Sequence, residues 1–214
     1  MVKKILFGLS LGLILFLLLA GSAAFAQESS AEIEQAILNE LNKVRNEPQT
    51  YIPRLEEYKK QFEGKNVNLN GRIYQTRDGV AAVDDAIKFL RKAATLGPLT
   101  PSEGLTKAAR LQVADLGENL ALGLIGKDGS TIPERAAKFG KRGKLLAANI
   151  GFYSTTAEDI VFNMIIDDGV RGRGNRKNIF NKTLQIVGIA FGRSKDGEPI
   201  TLMVFADKFT ETTK

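Results

Sequence analysis

The sequence predicts an α+β fold, with helices in the first half of the chain and most strands in the second. Apolar residues recur at helical spacing early in the chain, for example at Ile33, Ile37, Leu41 and Val44. Near the C-terminus, the β-rich runs "QIVGIAFGR" and "ITLMVFAD" flank the turn-like "SKDGEP", which indicates a hairpin. No repeat or linker interrupts this order.

Five helices are predicted from apolar periodicity and capping residues, at about 31–46, 50–62, 80–94, 103–116 and 157–166. Ser30 is positioned to cap the first helix, and Pro48 ends it. Ser102 caps the fourth helix, and either Thr155 or Thr156 caps the fifth. A shorter helical piece is expected at "PERAAKFG".

The remaining segments are predicted as strands and loops. The strands are expected at 148–154, 185–193 and 200–207. Residues 63–78 are rich in Asn and Gly and predict a loop that contains at most a short hairpin. Residues 117–143 are rich in glycine and also predict a loop.

The N-terminus has the features of a secretory signal. "MVKK" precedes an apolar run of 16 residues, and Ala24-Phe25-Ala26 supplies the small residues of a cleavage site. We therefore expect residues 1–26 to be a signal peptide and residues 27–214 to be a single domain, secreted or periplasmic. The alternative is a retained anchor, but the run is shorter than the roughly 20 residues that span a bilayer.

The composition narrows the possible chemistry. The 214 residues include no His and no Cys, which removes imidazole bases, thiolate nucleophiles and the usual zinc ligands. Catalysis would depend on carboxylates, Lys, Tyr or a Ser–Lys pair. This favours a binding function, and we expect no cofactor and no metal.

The stretch "DDGVRGRGNRKNIF" at 167–180 is predicted as an exposed loop, because it combines glycine with like charges. Its four cations could bind an anion or simply be solvated: Arg171, Arg173, Arg176 and Lys177. A second basic cluster contains Lys138, Lys141, Arg142 and Lys144. Because few aromatic residues lie among these cations, we expect no nucleic-acid partner.

The adjacent carboxylates Asp167 and Asp168 have two interpretations. Close carboxylates could share a proton and perform acid–base chemistry. Alternatively, they end a helix and form salt bridges with the arginines that follow, since neighbouring residues on a helix do not face each other.

Seven motifs in one order resemble the CAP superfamily (cysteine-rich secretory, antigen 5 and pathogenesis-related proteins), also called the SCP domain. They are "LNELNKVRNEPQTYI", "LTPSEGLTKAARLQVADLG", "GLIGKDGSTIPERAAKFG", "ANIGFYS", "DIVFNMIIDDGV", "RGNRKNIFN" and "VGIAFG". The resemblance is to bacterial members and extends from about Ala31 to Asp207. It implies a three-layer α-β-α sandwich with a small antiparallel sheet between helices.

The resemblance also implies a cleft that in many members holds a divalent metal on two histidines and two acids. The first histidine corresponds to Leu124, the second to Asn175, and one acid to Ala148. The other acid corresponds to Asp167 or Asp168. The metal site is therefore expected to be degenerate, because too few ligands remain.

The expected function is that of a secreted, non-catalytic domain, and the resemblance suggests a lipid or an envelope component as its ligand. The basic clusters favour an anionic ligand. The alternative is a metal-independent hydrolase, for a protein or cell-wall substrate, that combines Asp167 or Asp168 with Ser130 or Lys127. The lost histidines and acid favour the binding function.

Overall fold

The structure is a computed structural model that describes residues 29–212. The signal peptide predicted at 1–26 lies outside the described residues. The α-helices are α1 (Ser30–Asn46), α2 (Ile52–Lys59), α3 (Val80–Leu90), α4 (Glu103–Glu118), α5 (Ile132–Ala137), α6 (Ala157–Ile166) and α7 (Gly174–Ile179). The strands are β1 (Phe62–Glu63), β2 (Asn66–Leu69), β3 (Arg72–Gln75), β4 (Thr100–Pro101), β5 (Gly140–Arg142), β6 (Leu146–Phe152), β7 (Ile186–Arg193), β8 (Pro199–Ala206) and β9 (Phe209–Glu211). Short 3₁₀ turns occur at Pro48–Tyr51 and Leu120–Leu122.

The first helix begins with a capping box. Ser29 Oγ accepts the backbone N–H of Glu32, and the Glu32 carboxylate accepts the backbone N–H of Ser29. The prediction of Ser30 as the cap is therefore wrong by one residue, and Ser30 is the first helical residue. Ser102 and Thr156 cap α4 and α6, as predicted.

The segment after α1 differs from its prediction. The helix expected at 50–62 is a 3₁₀ turn followed by α2, which ends at Lys59. Residues 62–75 form an antiparallel three-stranded meander, β1–β2–β3. Asn70 and Gly71 both have positive φ, 52° and 80°, as a tight two-residue hairpin turn requires.

The central sheet has the strand order β4–β7–β8–β6. Strands β7 and β8 form the predicted hairpin, and β6 pairs antiparallel with β8 along its whole length. Strand β4 is parallel to β7.

The sheet lies between two helical layers, so the predicted three-layer α-β-α sandwich is confirmed. One face of β8 packs, through Met203 and Phe205, into a core formed with α1, α2, α3 and α6. The other face packs, through Leu202 and Val204, against α4 and α5. Helix α4 lies directly on β7. The two backbones approach so closely at Gly188 that an added Cβ would come within 2.1 Å of the Leu105 carbonyl carbon.

The basic segment was predicted as an exposed loop, and only its first half is one. Its second half forms α7, which begins after Arg173, a residue with φ of 55°. Ile179 is fully buried in the α6-side core, and this burial holds the short helix in place although it begins with Gly174.

Candidate functional site

A cavity of about 700 Å³ opens between the end of β6, helix α6, the meander and the loop after α6. Much of its lining is apolar, from Phe62, Ile150, Phe152, Ile160 and Met164. Polar groups that also line it include Asn163, Asp167, Asp168 and Asn175. A concave site of this size, with a few convergent polar groups, is typical of small-ligand binding.

Asp167 ends α6 in the left-handed conformation, with φ of 57°. It is nearly fully buried; Oδ1 accepts the Asn175 side-chain amide at 2.8 Å, and Oδ2 accepts the Arg176 backbone N–H at 3.2 Å. Burial raises the pKa of the Asp167 carboxyl despite these hydrogen bonds. Its role is to hold the start of α7 against the end of α6.

Asp168 faces a different set of partners. Its two oxygens accept the backbone N–H groups of Arg77 and Asp78, each at 2.8 Å. In return, the Asp78 carboxylate accepts the backbone N–H of Gly169 at 3.0 Å. Asp168 therefore ties the loop after α6 to the loop before α3, across the rim of the cavity.

The two adjacent carboxylates thus serve separate backbone networks. This arrangement agrees with the interpretation in which the two aspartates end a helix and support the scaffold. It does not agree with a pair of carboxylates that share a proton. The predicted arginine salt bridges are wrong, however, because the carboxylates that pair with Arg173 and Arg176 are those of Asp78 and Asp85.

The four cations of the 167–180 segment fall into two pairs. Arg173 binds Asp78 at 2.6 Å and Asp85 at 3.3 Å, and the buried Arg176 also pairs with Asp85. Arg171 and Lys177 are exposed and form no ion pair within residues 29–212. None of the four lines the cavity.

The two remaining family-equivalent positions lie elsewhere. The Ala148 side chain packs against the α4–α5 core, on the opposite face of the sheet from α6. Leu124 is partly exposed in the loop after the second 3₁₀ turn. The structure therefore brings Asp167, Asp168 and Asn175 together at one cavity, but neither Ala148 nor Leu124 lines it.

Asn149, which sequence reasoning missed, connects β6 to the site. It is fully buried, and its amide donates to the Asn175 carbonyl at 3.0 Å. Its own Oδ1 accepts the Asn178 amide at 2.8 Å. The sequence contains one indication of this role. Asn149 directly follows Ala148 in the predicted strand "ANIGFYS", and successive residues of a strand face opposite sides of the sheet.

A second polar cluster lies in the α4–α5 layer. Arg135 is buried and donates to Asp115 at 2.5 Å and to Ser130 Oγ at 2.7 Å. Ser130 also donates to Asp128 at 2.6 Å, and this hydrogen bond is the main reason that the pKa of Asp128 lies far below its usual value. Lys127 is exposed above Asp115.

The residues of the alternative hydrolase hypothesis therefore do not lie together in the described part of the chain. Ser130 and Lys127 belong to the α4–α5 layer, whereas Asp167 and Asp168 follow α6 on the other side of the sheet. Neither Ser130 nor Lys127 lines the cavity.

The remaining features considered in the sequence are a metal site, a membrane span and the second basic cluster. Within residues 29–212, no group of three or more Asp or Glu side chains is arranged to hold a metal ion. In the same residues, no helix is long and apolar enough to cross a bilayer. The second basic cluster lies around β5, and its members Lys138, Lys141, Arg142 and Lys144 are exposed.

Comparison with known proteins identifies related sequences and folds. Residues 38–205 match the family model of the cysteine-rich secretory protein family, CAP. No curated protein matches the chain.

Solved structures that are similar to this one include two bacterial proteins. An outer surface protein from Borrelia burgdorferi shares 16% identity at a TM-score of 0.45, over 62% of this chain and 91% of that one. An extracellular SCP-domain protein from Bacillus anthracis shares 17% identity at a TM-score of 0.40, over 57% of this chain and 37% of that one.

Proposed function

Because the chain belongs to the cysteine-rich secretory protein family, CAP, we propose that it is an exported domain that binds a lipid-like envelope or extracellular ligand without transforming it. The observation that carries this proposal is the open cavity of about 700 Å³ beside α6. Its volume lies within the roughly 300–1,000 Å³ of typical ligand sites.

The lining supports an amphiphilic ligand. Side chains such as Phe62, Ile160 and Met164 supply apolar contact area, and burial of an acyl chain is worth about 0.8 kcal/mol per CH₂. The polar groups concentrate where the loops from α6 and the meander meet. A ligand with one apolar and one polar end matches this distribution.

The chemistry of the cavity supports binding without catalysis. The chain has no His and no Cys. Asp167 and Asp168 both accept hydrogen bonds from backbone N–H groups, so their lone pairs are partly occupied by the scaffold. A general base would need free lone pairs directed at a substrate.

Export is the second part of the proposal. It rests on the basic start, the apolar run and the Ala24-Phe25-Ala26 pattern of the leader. These residues lie outside the described part of the chain.

A fluorescent fatty acid tests the binding proposal. Val170 lines the cavity with 38% of its surface exposed, and Leu111, on α4 in the opposite layer, is 39% exposed. Val170→Trp should weaken binding at least tenfold because the indole occupies the cavity, whereas Leu111→Trp should bind like the wild type. Equal affinity of both variants, or no binding by the wild type, would contradict the proposal.

An anionic polymer is a second candidate ligand, favoured by the exposed Arg171 and Lys177. Each cation near an anionic surface contributes about 1 kcal/mol. The double variant Arg171→Gln/Lys177→Gln should therefore bind anionic vesicles or purified cell-wall polymer about 25-fold more weakly. Added salt should have the same effect on the wild type. Unchanged binding would assign these two cations to the solvated surface.

A further inference from the structure

Tyr153 is presented to solvent by a strained backbone. It follows β6 with φ of 67°, a conformation that bulky residues rarely adopt, and its side chain is 68% exposed. Its backbone N–H donates to the Pro199 carbonyl at 3.0 Å, which anchors the turn. Its hydroxyl forms no hydrogen bond within residues 29–212. Its ring contacts only the neighbouring Phe152 ring, at 6.1 Å between centroids, among the described residues. Such strain at an exposed aromatic side chain with a free hydroxyl points to a ligand contact.

Tyr153 stands where two cavities meet. A second cavity, of about 530 Å³, adjoins the first, and both are lined by Tyr58, Tyr153, Ser154 and Asn163. Because they share these residues, the two cavities are neighbours on one surface, and together they are called the groove. Tyr153, whose side chain is exposed, lines both cavities.

The second cavity differs chemically from the first. Its charged groups are already compensated, since Arg54 pairs with Glu158 at 2.8 Å and with Asp159 at 2.6 Å. The side-chain amides of Gln61 and Asn70 line this cavity, and neither forms a hydrogen bond within the described residues. Free amides donate and accept equally well, so this end of the groove suits an uncharged ligand group with several hydroxyls.

A charged headgroup fits this second cavity poorly. A phosphate or carboxylate would need an unpaired cation, and Arg54 is occupied by two carboxylates. A sugar needs none, because its hydroxyls bind amides and its C–H face packs on an aromatic ring.

We propose that the groove binds a glycolipid, with the chain in the first cavity and an uncharged sugar headgroup stacked on Tyr153 in the second. This inference rests on the proposed function and specifies its ligand class. It assigns the chain-binding role to the residues around Met164 and the headgroup-binding role to Tyr153 with Gln61 and Asn70.

Two amphiphiles with the same chain test the inference: decyl maltoside and decanoate, each below its micelle concentration. Tyrosine emission reports binding to the wild type, because the chain has four Tyr and no Trp, and calorimetry measures binding to the variants that lack Tyr153. The wild type should bind decyl maltoside at least tenfold more tightly than decanoate. Tyr153→Ala should remove that tenfold preference, and Tyr153→Phe should retain it.

Calorimetry on further variants separates binding from folding. Tyr153→Gly should also lose the preference for maltoside while keeping or raising the melting temperature, because glycine adopts this φ freely. Tyr74→Ala is the matched control, since Tyr74 is 48% exposed on β3 and lines neither cavity. It should bind both amphiphiles like the wild type.

The outcomes distinguish the inference from the proposed function. Decanoate binding as tight as maltoside binding, or an equal loss of both in Tyr153→Ala, would overturn the glycolipid inference and leave lipid binding in place. If the wild type bound neither amphiphile, both proposals would fail.

Discussion

Replacement of Arg176 by Met should destabilise the protein, whereas replacement of Arg171 by Met should not, although both arginines belong to one basic segment. The Arg176 side chain is only 3% exposed. It pairs with Asp85, donates to the Ile165 carbonyl at 3.2 Å and lies 5.2 Å above the Phe89 ring. Arg171 is exposed and forms no ion pair in the described part of the chain.

The expected magnitude follows from these contacts. A buried carbonyl left without its donor costs about 1–3 kcal/mol, and the cation–π contact contributes about 0.5–1 kcal/mol. Asp85 is half exposed and retains Arg173, so its carboxylate is not left buried and unpaired. Because the Met side chain recovers some packing over Phe89, we expect a net loss of about 2 kcal/mol.

Urea unfolding followed by far-UV circular dichroism measures the difference. With an m-value of about 2 kcal/mol/M, Arg176→Met should lower the midpoint by about 1 M. Arg171→Met should shift it by less than about 0.25 M, since exposed substitutions stay within about 0.5 kcal/mol. Equal shifts in the two variants would refute the division of the segment into structural and free cations.

Three further predictions concern stability and export. Arg45→Met should cost about 3 kcal/mol by urea unfolding, because Arg45 is buried and donates to four backbone carbonyls; a shift under about 1 kcal/mol would contradict this. The hydrogen bond from Arg173 lowers the pKa of Asp78. The Arg173–Asp78 pair therefore stabilises the folded protein above about pH 4, and this stabilisation is lost as the pH falls through the pKa that Asp78 has in the folded state. Arg173→Gln should flatten this acid limb, and an unchanged pH profile would exclude the pair as its source. N-terminal sequencing of secreted protein should begin at Gln27; recovery of intact Met1 would contradict cleavage.

Several features of the fold were predictable from short stretches of sequence. Apolar spacing located α1, α3, α4 and α6, and the hydroxyl residues before α4 and α6 marked their starts. The meander was only partly predicted, although Asn70-Gly71 is a strong hairpin signal. The additional strand β1 has two residues, too few for a recognisable alternation.

The candidate site was predictable in part. The sequence motifs directed attention to Asp167, Asp168 and Asn175, which line one cavity. They did not reveal Tyr153, because neither its positive φ nor its exposure has a signature in the sequence around "GFYS".

The sequence by itself determined the class of fold, the family and the absence of imidazole and thiol chemistry, since these depend on local periodicity, motif order and composition. Only the tertiary structure decided which cations are free, because Asp78 and Asp85 lie about 90 residues before Arg173 and Arg176 in the chain. It also decided that Ala148 faces away from the cavity, since strand pairing sets which alternate residues face each helical layer. Contacts between distant segments depend on how the layers pack, and no short stretch of sequence encodes that packing.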